Sequence, residues 1–210
     1  MAYADPENTL VIETTKGKVV IAMRPDLAPN HVAHIKKLAR EGFYDGIVFH
    51  RVIDGFMAQT GDPTGTGTGS SKYPNLKQEF NAEPHVRGIA SMARAQNPDS
   101  ANSQFFLMRQ AYPSLDKRYT AWGRVISGLD VVRAIKTGEE PSGAVATPQD
   151  VMTSVRVAAD IPAAQRPVAR VLNTGSPTFA AMIEQTRAAR GADFSICDLE
   201  PPVDVVESAA

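Results

Sequence analysis

Short β-prone runs separated by turn signals are the feature that most constrains the fold of this chain. Eight such runs precede Asp160, and only two short helical stripes interrupt them. The runs are Leu10–Thr14, Val19–Met23, Ile47–Ile53, Phe56–Thr60, Ile89–Ala93, Gln104–Met108, Ala121–Ile126 and Val151–Val157. One helix is expected from an Asn30 N-cap to Gly42, and the other over Leu129 to Ile135. Many short strands with few helices indicate an antiparallel barrel or sandwich.

Composition and charge exclude several classes of function. Lys plus Arg number 22 and Asp plus Glu number 23, a formal net charge of -1. Because no basic excess is available to neutralise phosphates, nucleic-acid binding is disfavoured as the main function. No apolar run approaches the roughly 20 residues of a membrane span. The first residues lack the basic start and long apolar stretch of a secretory signal, so we expect a cytoplasmic protein without membrane or nucleic-acid partners.

The character of the sequence changes near Asp160, and we expect a first domain over 1–160 and an extension over 161–210. Val168–Leu172 and Phe194–Leu199 are predicted strands of the extension, and the residues from Glu200 are expected to fray. Ser176 and Pro177 are typical of an N-cap and a first helical position. We expect the helix that follows to pack its Phe179, Met182 and Ile183 side chains against the first domain. A partner-docking role for the extension is the less favoured alternative.

Three features that suggest ligand sites have simpler interpretations. Gly65, Gly67 and Gly69 lack both the Walker ending and the strand-loop-helix context of a phosphate site, so a mobile surface loop is favoured. His31 and His34 lack a third ligand at suitable spacing, so a solvated helix face is favoured and no metal site is predicted. The single cysteine, Cys197, is expected to be a small packing residue that forms no internal disulfide bond.

The segment from Phe49 to Asp62 combines a predicted hairpin with polar side chains. Alternation places Arg51 and Ile53 on one face of the first strand, and Met57 and Gln59 share a face after the turn. By this pattern alone, an ordinary hairpin with incidental polar residues is as well supported as a functional site. If it is a site, its Arg, Gln and apolar side chains would make a surface that is both apolar and hydrogen-bonding.

This segment also resembles the signature of the cyclophilins, which are peptidyl-prolyl cis-trans isomerases. Two later blocks resemble the next signatures of the family. They are Ser91–Ala95 with Ser103–Phe106, and Leu115–Asp116 with Tyr119–Val125. The three blocks occur in the order of the family and at its usual distances. The resemblance covers about Thr9 to Asp160 and leaves the extension outside it.

The resemblance implies a mainly β fold, a closed eight-stranded antiparallel barrel capped by two α-helices, to which this chain adds a small strand-helix-strand extension. It implies an isomerase that rotates X-Pro bonds in protein substrates, assists folding and needs neither metal nor cofactor. The matching catalytic residues are Arg51, Gln59 and Phe106. The matching substrate-binding residues are Phe56, Met57, Ala93, Arg94, Gln104, Leu115 and Tyr119. Proline-containing polypeptides are the implied partners.

Three positions depart from the best-known eukaryotic pattern of the family. Ser114 stands where that pattern has a Trp that shapes cyclosporin binding, so weak binding of this drug is expected. Tyr119 replaces a pocket His and is similar to bacterial members. Arg94 stands where that pattern has an Asn, a residue that the family uses mainly through its backbone. The alternative function is a non-catalytic proline-peptide binding module or chaperone, which the presence of Arg51, Gln59 and Phe106 disfavours.

Overall fold

The computed structural model describes residues 2–172, 176–195, 199 and 203–206. The strands are β1 (Ala2–Tyr3), β2 (Thr9–Thr14), β3 (Gly17–Met23), β4 (Arg51–Ile53), β5 (Met57–Thr60), β6 (Ile89–Met92), β7 (Phe105–Met108), β8 (Ala121–Ser127), β9 (Met152–Val157), β10 (Val168–Val171) and β11 (Val203–Val206). The helices are α1 (Pro29–Arg40), α2 (Leu129–Ala134) and α3 (Pro177–Arg190). Each of the eight predicted runs before Asp160 overlaps one strand of a single antiparallel sheet, in the order β4-β5-β7-β6-β8-β3-β2-β9.

The prediction of a closed barrel is corrected to an open sheet, because no ladder pairs β4 with β9 among the described residues. The first half of the predicted run Ile47–Ile53 lies outside the regular strand and meets the β9 side at the isolated bridge between Val48 and Val151, where the Met152 N–H donates to the Ile47 carbonyl at 2.8 Å. The outer edge of β4 is occupied by residues 138–145 instead. The Val52 N–H donates to the Gly143 carbonyl at 2.8 Å, and the Gly138 N–H donates to the Val52 carbonyl at 2.8 Å.

The main core lies between the inner face of this sheet and the two helices α1 and α2. Inward side chains of every strand from β2 to β9 join one buried cluster with Val32, Ile35 and Leu38 of α1 and Val132 of α2. On β7 the side chains alternate, so that Phe105 enters this cluster while the next residue enters a separate apolar cluster on the outer face. The outer cluster contains Met57, Ile89, Phe106, Met108, Leu115 and Ala121.

Helix α1 begins differently from the prediction. Its N-cap is Ala28, which makes no side-chain capping bond, and Asn30 lies in the first turn. The Glu79 carboxylate accepts hydrogen bonds from the backbone N–H groups of Asn30 and His31, each at 3.0 Å. A carboxylate from a distant loop therefore satisfies the first-turn donors and complements the positive end of the helix dipole.

The expected solvated position of His31 is wrong, because its side chain is completely buried. His31 precedes Ile35 by four residues and so shares the core-facing side of α1. Its Nδ1 lies 2.5 Å from Glu79 Oε2. His34 is half-buried and meets the Tyr73 ring edge-on at 5.9 Å. Within the described ranges no group of three or more potential metal ligands occurs.

The extension forms a second, three-stranded sheet in the order β1-β10-β11. The sequence did not predict β1. Ser176 caps α3 as expected, its Oγ accepting from the Phe179 N–H at 3.3 Å. The predicted strand Phe194–Leu199 is wrong for its described residues, and 196–198, including Cys197, lie outside them. The strand instead follows at Val203–Val206, within the stretch that was expected to fray.

Ala169 of β10 anchors the extension, since it is buried in a small cluster with Val20 and Ile126 on the eight-stranded sheet. Helix α3 contains no buried residue, and the stripe of Phe179, Met182 and Ile183 is only half-buried. The described part of the extension therefore meets the eight-stranded sheet through β10 and through β11, which lies beside β8. No helix in the described ranges is long and apolar enough to span a membrane.

Acidification is expected to destabilise the fold through its histidines. Burial lowers the pKa of all four, His31, His34, His50 and His85. The unfolded chain takes up protons near pH 6.5 while the folded chain resists them, so stability is full above pH 6.5 and is lost as the pH falls. The slope is at most about 1.4 kcal/mol per pH unit for each histidine.

We therefore expect the free energy of unfolding to be lower at pH 5.0 than at pH 7.5. Urea unfolding followed by circular dichroism at both pH values measures the difference. Equal unfolding midpoints and slopes at the two pH values would contradict this account of the buried histidines.

Candidate active site

The candidate site lies on the outer face of the sheet, where strand pairing places the predicted catalytic residues in one row. Arg51 of β4 is directly opposite Gln59 of β5, and Gln59 is directly opposite Phe106 of β7. Ser91 of β6 continues the row beyond Phe106. Because paired residues project from the same face of a sheet, the register brings the three predicted catalytic side chains together.

A chain of hydrogen bonds fixes the polar half of this row. Arg51 Nη1 donates to Gln59 Oε1 at 3.2 Å, and Gln59 Nε2 donates to Gln104 Oε1 at 3.0 Å. Gln104 Nε2 then donates to the carbonyls of Gly67 and Gly69 at 3.0 and 2.9 Å. These bonds fix the orientation of the Gln59 and Gln104 side-chain amides, so that the Gln59 oxygen faces the Arg51 guanidinium.

A hairpin at residues 138–145, which was not predicted, holds the other side of Arg51. Arg51 Nε donates to the Ser142 carbonyl at 3.0 Å, and the backbone of Arg51 bridges to Ala144. Gly143 sits between these residues with a φ of 76°, and a Cβ there would lie 2.4 Å from Ile53 Cγ1. Only glycine lets the hairpin approach β4 this closely. Gly143 lies between the predicted elements that end at Ile135 and begin at Val151, where no strand or helix was expected.

The apolar half of the site is a cavity of about 350 Å³ beside Arg51. Nine of the ten predicted site residues line it: Arg51, Phe56, Met57, Gln59, Ala93, Arg94, Phe106, Leu115 and Tyr119. His50, Thr66, Gly67, Ser142 and Ala144 complete the lining. Phe106 is 5% exposed and meets the Tyr119 ring edge-on at 5.8 Å. These side chains form a pocket of the size and polarity that suit a small apolar ring.

Two of the expected binding groups have other partners. Gln104 does not line this cavity, and its side-chain amide is fully engaged by Gln59, Gly67 and Gly69. The Ala93 N–H donates to the Gln104 carbonyl at 3.0 Å and is not free for a ligand. Gln104 therefore positions Gln59 in this structure, and Ala93 offers a ligand its carbonyl.

A buried network behind the pocket supports Phe106, and nothing in the sequence spacing indicated it. The His85 ring stacks on the Phe106 ring, with centroids 6.3 Å apart. His85 Nδ1 lies 3.1 Å from Asp116 Oδ1, and Nε2 lies 2.9 Å from Ser91 Oγ. Burial lowers the pKa of His85, which favours the neutral ring with one donor and one acceptor nitrogen. The network therefore fixes the ring beneath Phe106.

The glycine-rich loop is anchored by a carboxylate rather than left as a mobile surface loop. Asp62 accepts hydrogen bonds from the backbone N–H groups of Thr64, Gly67 and Gly69 at 2.7, 2.5 and 3.1 Å. Burial raises the pKa of Asp62, but the hydrogen bonds outweigh it and lower the pKa to about 2. The loop thus presents fixed carbonyls to Gln104.

Comparison with known proteins gives a consistent family. Residues 9–157 match the profile described as cyclophilin type peptidyl-prolyl cis-trans isomerase/CLD. A probable peptidyl-prolyl cis-trans isomerase of Brucella suis is 53% identical over 161 residues, covering 71% of this chain and 82% of that protein. Peptidyl-prolyl cis-trans isomerase B of Bacillus subtilis is 42% identical over 142 residues, covering 67% of this chain and 90% of that protein.

Solved structures extend the comparison to the whole chain. Cyclophilin AquaCyp293 from Hirschia baltica matches with a TM-score of 0.86 and 32% identity, covering 99% of this chain and 94% of that chain. A Cryptosporidium parvum isomerase crystallised in the presence of the dipeptide Ala-Pro matches with a TM-score of 0.65 and 26% identity, covering 71% of this chain and 98% of its own. The extension beyond Val157 therefore has a counterpart in the first of these structures.

Replacing Gly143 with Ala should displace the hairpin from Arg51 and lower isomerase activity. We expect kcat/KM to fall by about tenfold or more, because small displacements of a positioned group are costly in rate. Gly46→Ala is the matched control, since Gly46 has a similar φ of 83° but no atom within 4 Å of an added Cβ. Exchange NMR on a proline peptide measures both variants, and equal activities in the two folded variants would contradict the role of the hairpin.

Proposed function

The chain belongs to the cyclophilin-type peptidyl-prolyl cis-trans isomerases, and we propose that Arg51, Gln59 and Phe106 carry the reaction in the groove on the outer face of the sheet. The observation that supports this assignment is the placement of a fixed guanidinium at the edge of an apolar cavity. Nη1 and Nε of Arg51 are held by Gln59 and Ser142, while Nη2 has no hydrogen-bond partner among the described residues. One donor nitrogen thus remains available to a substrate.

The reaction requires a catalyst to favour a twisted amide. Rotation about an X-Pro bond breaks amide resonance, with a barrier of roughly 18–20 kcal/mol. In the twisted state the prolyl nitrogen regains a lone pair that accepts a hydrogen bond. A donor aimed at that nitrogen stabilises the transition state more than the planar ground states, which is the condition for catalysis.

Arg51 fits this task because its charge is permanent at physiological pH and its position is fixed from two sides. In our proposal Nη2 of Arg51 donates to the twisted nitrogen. Gln59 keeps the guanidinium in place by accepting from Nη1, and Gln104 prevents the Gln59 amide from turning over. No proton is transferred and no covalent bond is made or broken.

The apolar pocket supplies the second requirement, which is a fixed ring about which the rest of the peptide turns. Phe106, Met57 and Leu115 are almost fully buried and form the floor and walls, and Phe56 and Tyr119 border the opening. The Ala93 carbonyl and the Arg94 N–H have no backbone partner among the described residues. We assign them to the residue that precedes the proline, as in strand addition.

We propose that the extension over 161–210 is structural and takes no direct part in the reaction. Ala144 is the last residue that lines the groove, and Ala169 attaches the extension through Val20 and Ile126. The alternative function, a binding module without turnover, is separated from catalysis by one measurement. Micromolar protein accelerates exchange of an Ala-Pro peptide if it is an enzyme and only broadens the peptide resonances if it binds without turnover.

Arg51→Ala is expected to lower kcat/KM by roughly 10²-fold or more, because it removes a charge-assisted donor directed at the transition state. Stability should change little, since Arg51 is only partly buried at the edge of the sheet. Arg51→Lys keeps the charge but loses the forked geometry and should recover only part of the activity. Near-full activity of a folded Arg51→Ala variant would exclude the assigned role.

Cyclosporin is expected to inhibit this protein weakly. Ser114 is exposed in the short turn Pro113–Leu115, whose last residue lines the pocket. Its side chain offers neither an aromatic surface nor an indole donor. Ser114→Trp should tighten inhibition by about tenfold or more. Inhibition curves of both proteins give the comparison, and nanomolar inhibition of the wild type would refute the argument.

A further inference from the structure

A second cavity, of about 400 Å³, adjoins the first and shares Gln59, Gly67, Ala93 and Arg94 with it. Small and polar uncharged residues complete its lining, among them Ser70, Asn75, Ser100 and Asn102. Ala93 and Arg94 therefore stand between the two cavities. A peptide whose residue before the proline lies along Ala93 and Arg94 continues from the first cavity towards the second.

The permanently charged side chains that line the two cavities are all positive. Among the described residues that line the two cavities there is no Asp or Glu, and the permanent charges are those of Arg51 and Arg94. Burial lowers the pKa of His50, so this third basic side chain is neutral at pH 7. The Asp99 carboxylate, next to the lining residue Ser100, accepts from the Gln78 N–H at 3.0 Å and does not line the cavity.

Arg94 is held rigidly by neutral groups. Its Nη2 and Nε donate to the Arg118 carbonyl at 2.8 and 3.1 Å, and its Nη1 donates to the Ala95 and Gln96 carbonyls at 2.9 and 3.1 Å. The guanidinium also lies over the Tyr119 ring, 4.6 Å from its centroid. Carbonyls and a ring fix its position without cancelling its charge, and within the described ranges no carboxylate forms an ion pair with it.

We propose that Arg94 makes this isomerase select X-Pro segments that carry a carboxylate side chain two or three residues before the proline. The inference rests on the proposed function, because it takes the residue before the proline to lie along Ala93 and Arg94. An extended chain advances about 3.3 Å per residue, so two or three residues suffice to reach the second cavity. There a Glu or Asp side chain meets a fixed, unneutralised cation, and a Lys side chain is repelled.

The effect should be moderate, because the pair remains partly exposed. Exposed ion pairs have small interaction energies, so we expect kcat/KM to favour Glu over the isosteric Gln by about two- to fivefold. Repulsion of Lys should widen the difference between Glu and Lys to about tenfold. The preference should shrink in 0.5 M NaCl, where charges are screened over a few ångströms.

The experiment uses the full-length protein and acetylated, amidated peptides of alanine around a single Ala-Pro bond. Glu, Gln or Lys replaces the alanine two or three residues before the proline, and exchange NMR gives kcat/KM for each peptide. The all-alanine peptide reports the basal reaction, so a failure of the proposed function appears as absent turnover there. A failure of the present inference appears as equal rates for Glu, Gln and Lys at both positions while the all-alanine peptide is turned over.

Variants assign the preference to one side chain. Arg94→Gln should reduce the ratio of Glu to Lys rates to about one, and Arg94→Lys should restore part of it. Arg118→Gln is the matched control, because this exposed arginine lines neither cavity and its removal should leave most of the ratio in place. Equal losses in Arg94→Gln and Arg118→Gln, or a ratio retained in Arg94→Gln, would overturn the assignment to Arg94.

Discussion

Burial of both faces of β5, β6 and β7 is the constraint on which the rest of this structure depends. Every residue of β6 and β7 is buried, although alternate residues point to opposite sides of the sheet. Phe105 and Leu107 belong to the main core, while Phe106 and Met108 belong to the outer cluster. A slip of one residue would exchange these two sets, so the packing that fixes the register of the core also fixes the groove. The site therefore derives its precision from the same contacts that stabilise the sheet.

The groove depends on permanent charge rather than on titratable charge. Its proposed donor is a guanidinium, and the one histidine in its lining, His50, has its pKa lowered by burial and is neutral at pH 7. Two of the other histidines support the scaffold: His85 lies beneath Phe106, and His31 lies under the first turn of α1. Proton uptake by the histidines thus bears on the stability of the scaffold, while the proposed catalytic residues Arg51, Gln59 and Phe106 keep one charge state. This suits a reaction that transfers no proton.

The sequence predicted the strands and the adjacency of Arg51, Gln59 and Phe106 well, because alternation and turn residues act locally and the three signature blocks are specific. The register that pairs Arg51 with Gln59 follows from the hairpin between them. What could not be predicted depends on partners far apart in the chain. Ser142 lies 91 residues after Arg51, and Glu79 lies 48 residues after His31. No local pattern indicates such pairs, which explains why the engagement of Gln104 differed from expectation. The N-cap of α1 and the burial of His31 are different cases, since Pro29 at the helix start and the spacing of His31 to Ile35 are local signals that the prediction did not use.

The pairing of β1 with β10, in the sheet that β11 completes, has a consequence for the order of folding during synthesis. The eight-stranded sheet is complete in sequence at Val157, whereas the three-stranded sheet requires residues up to Val206. While a ribosome makes the chain from its first residue onwards, Ala2–Tyr3 therefore has no strand partner until the catalytic unit has emerged, and domains generally fold as units as they appear. The first strand of the chain is among the last to be paired, and the groove is assembled before the extension joins it.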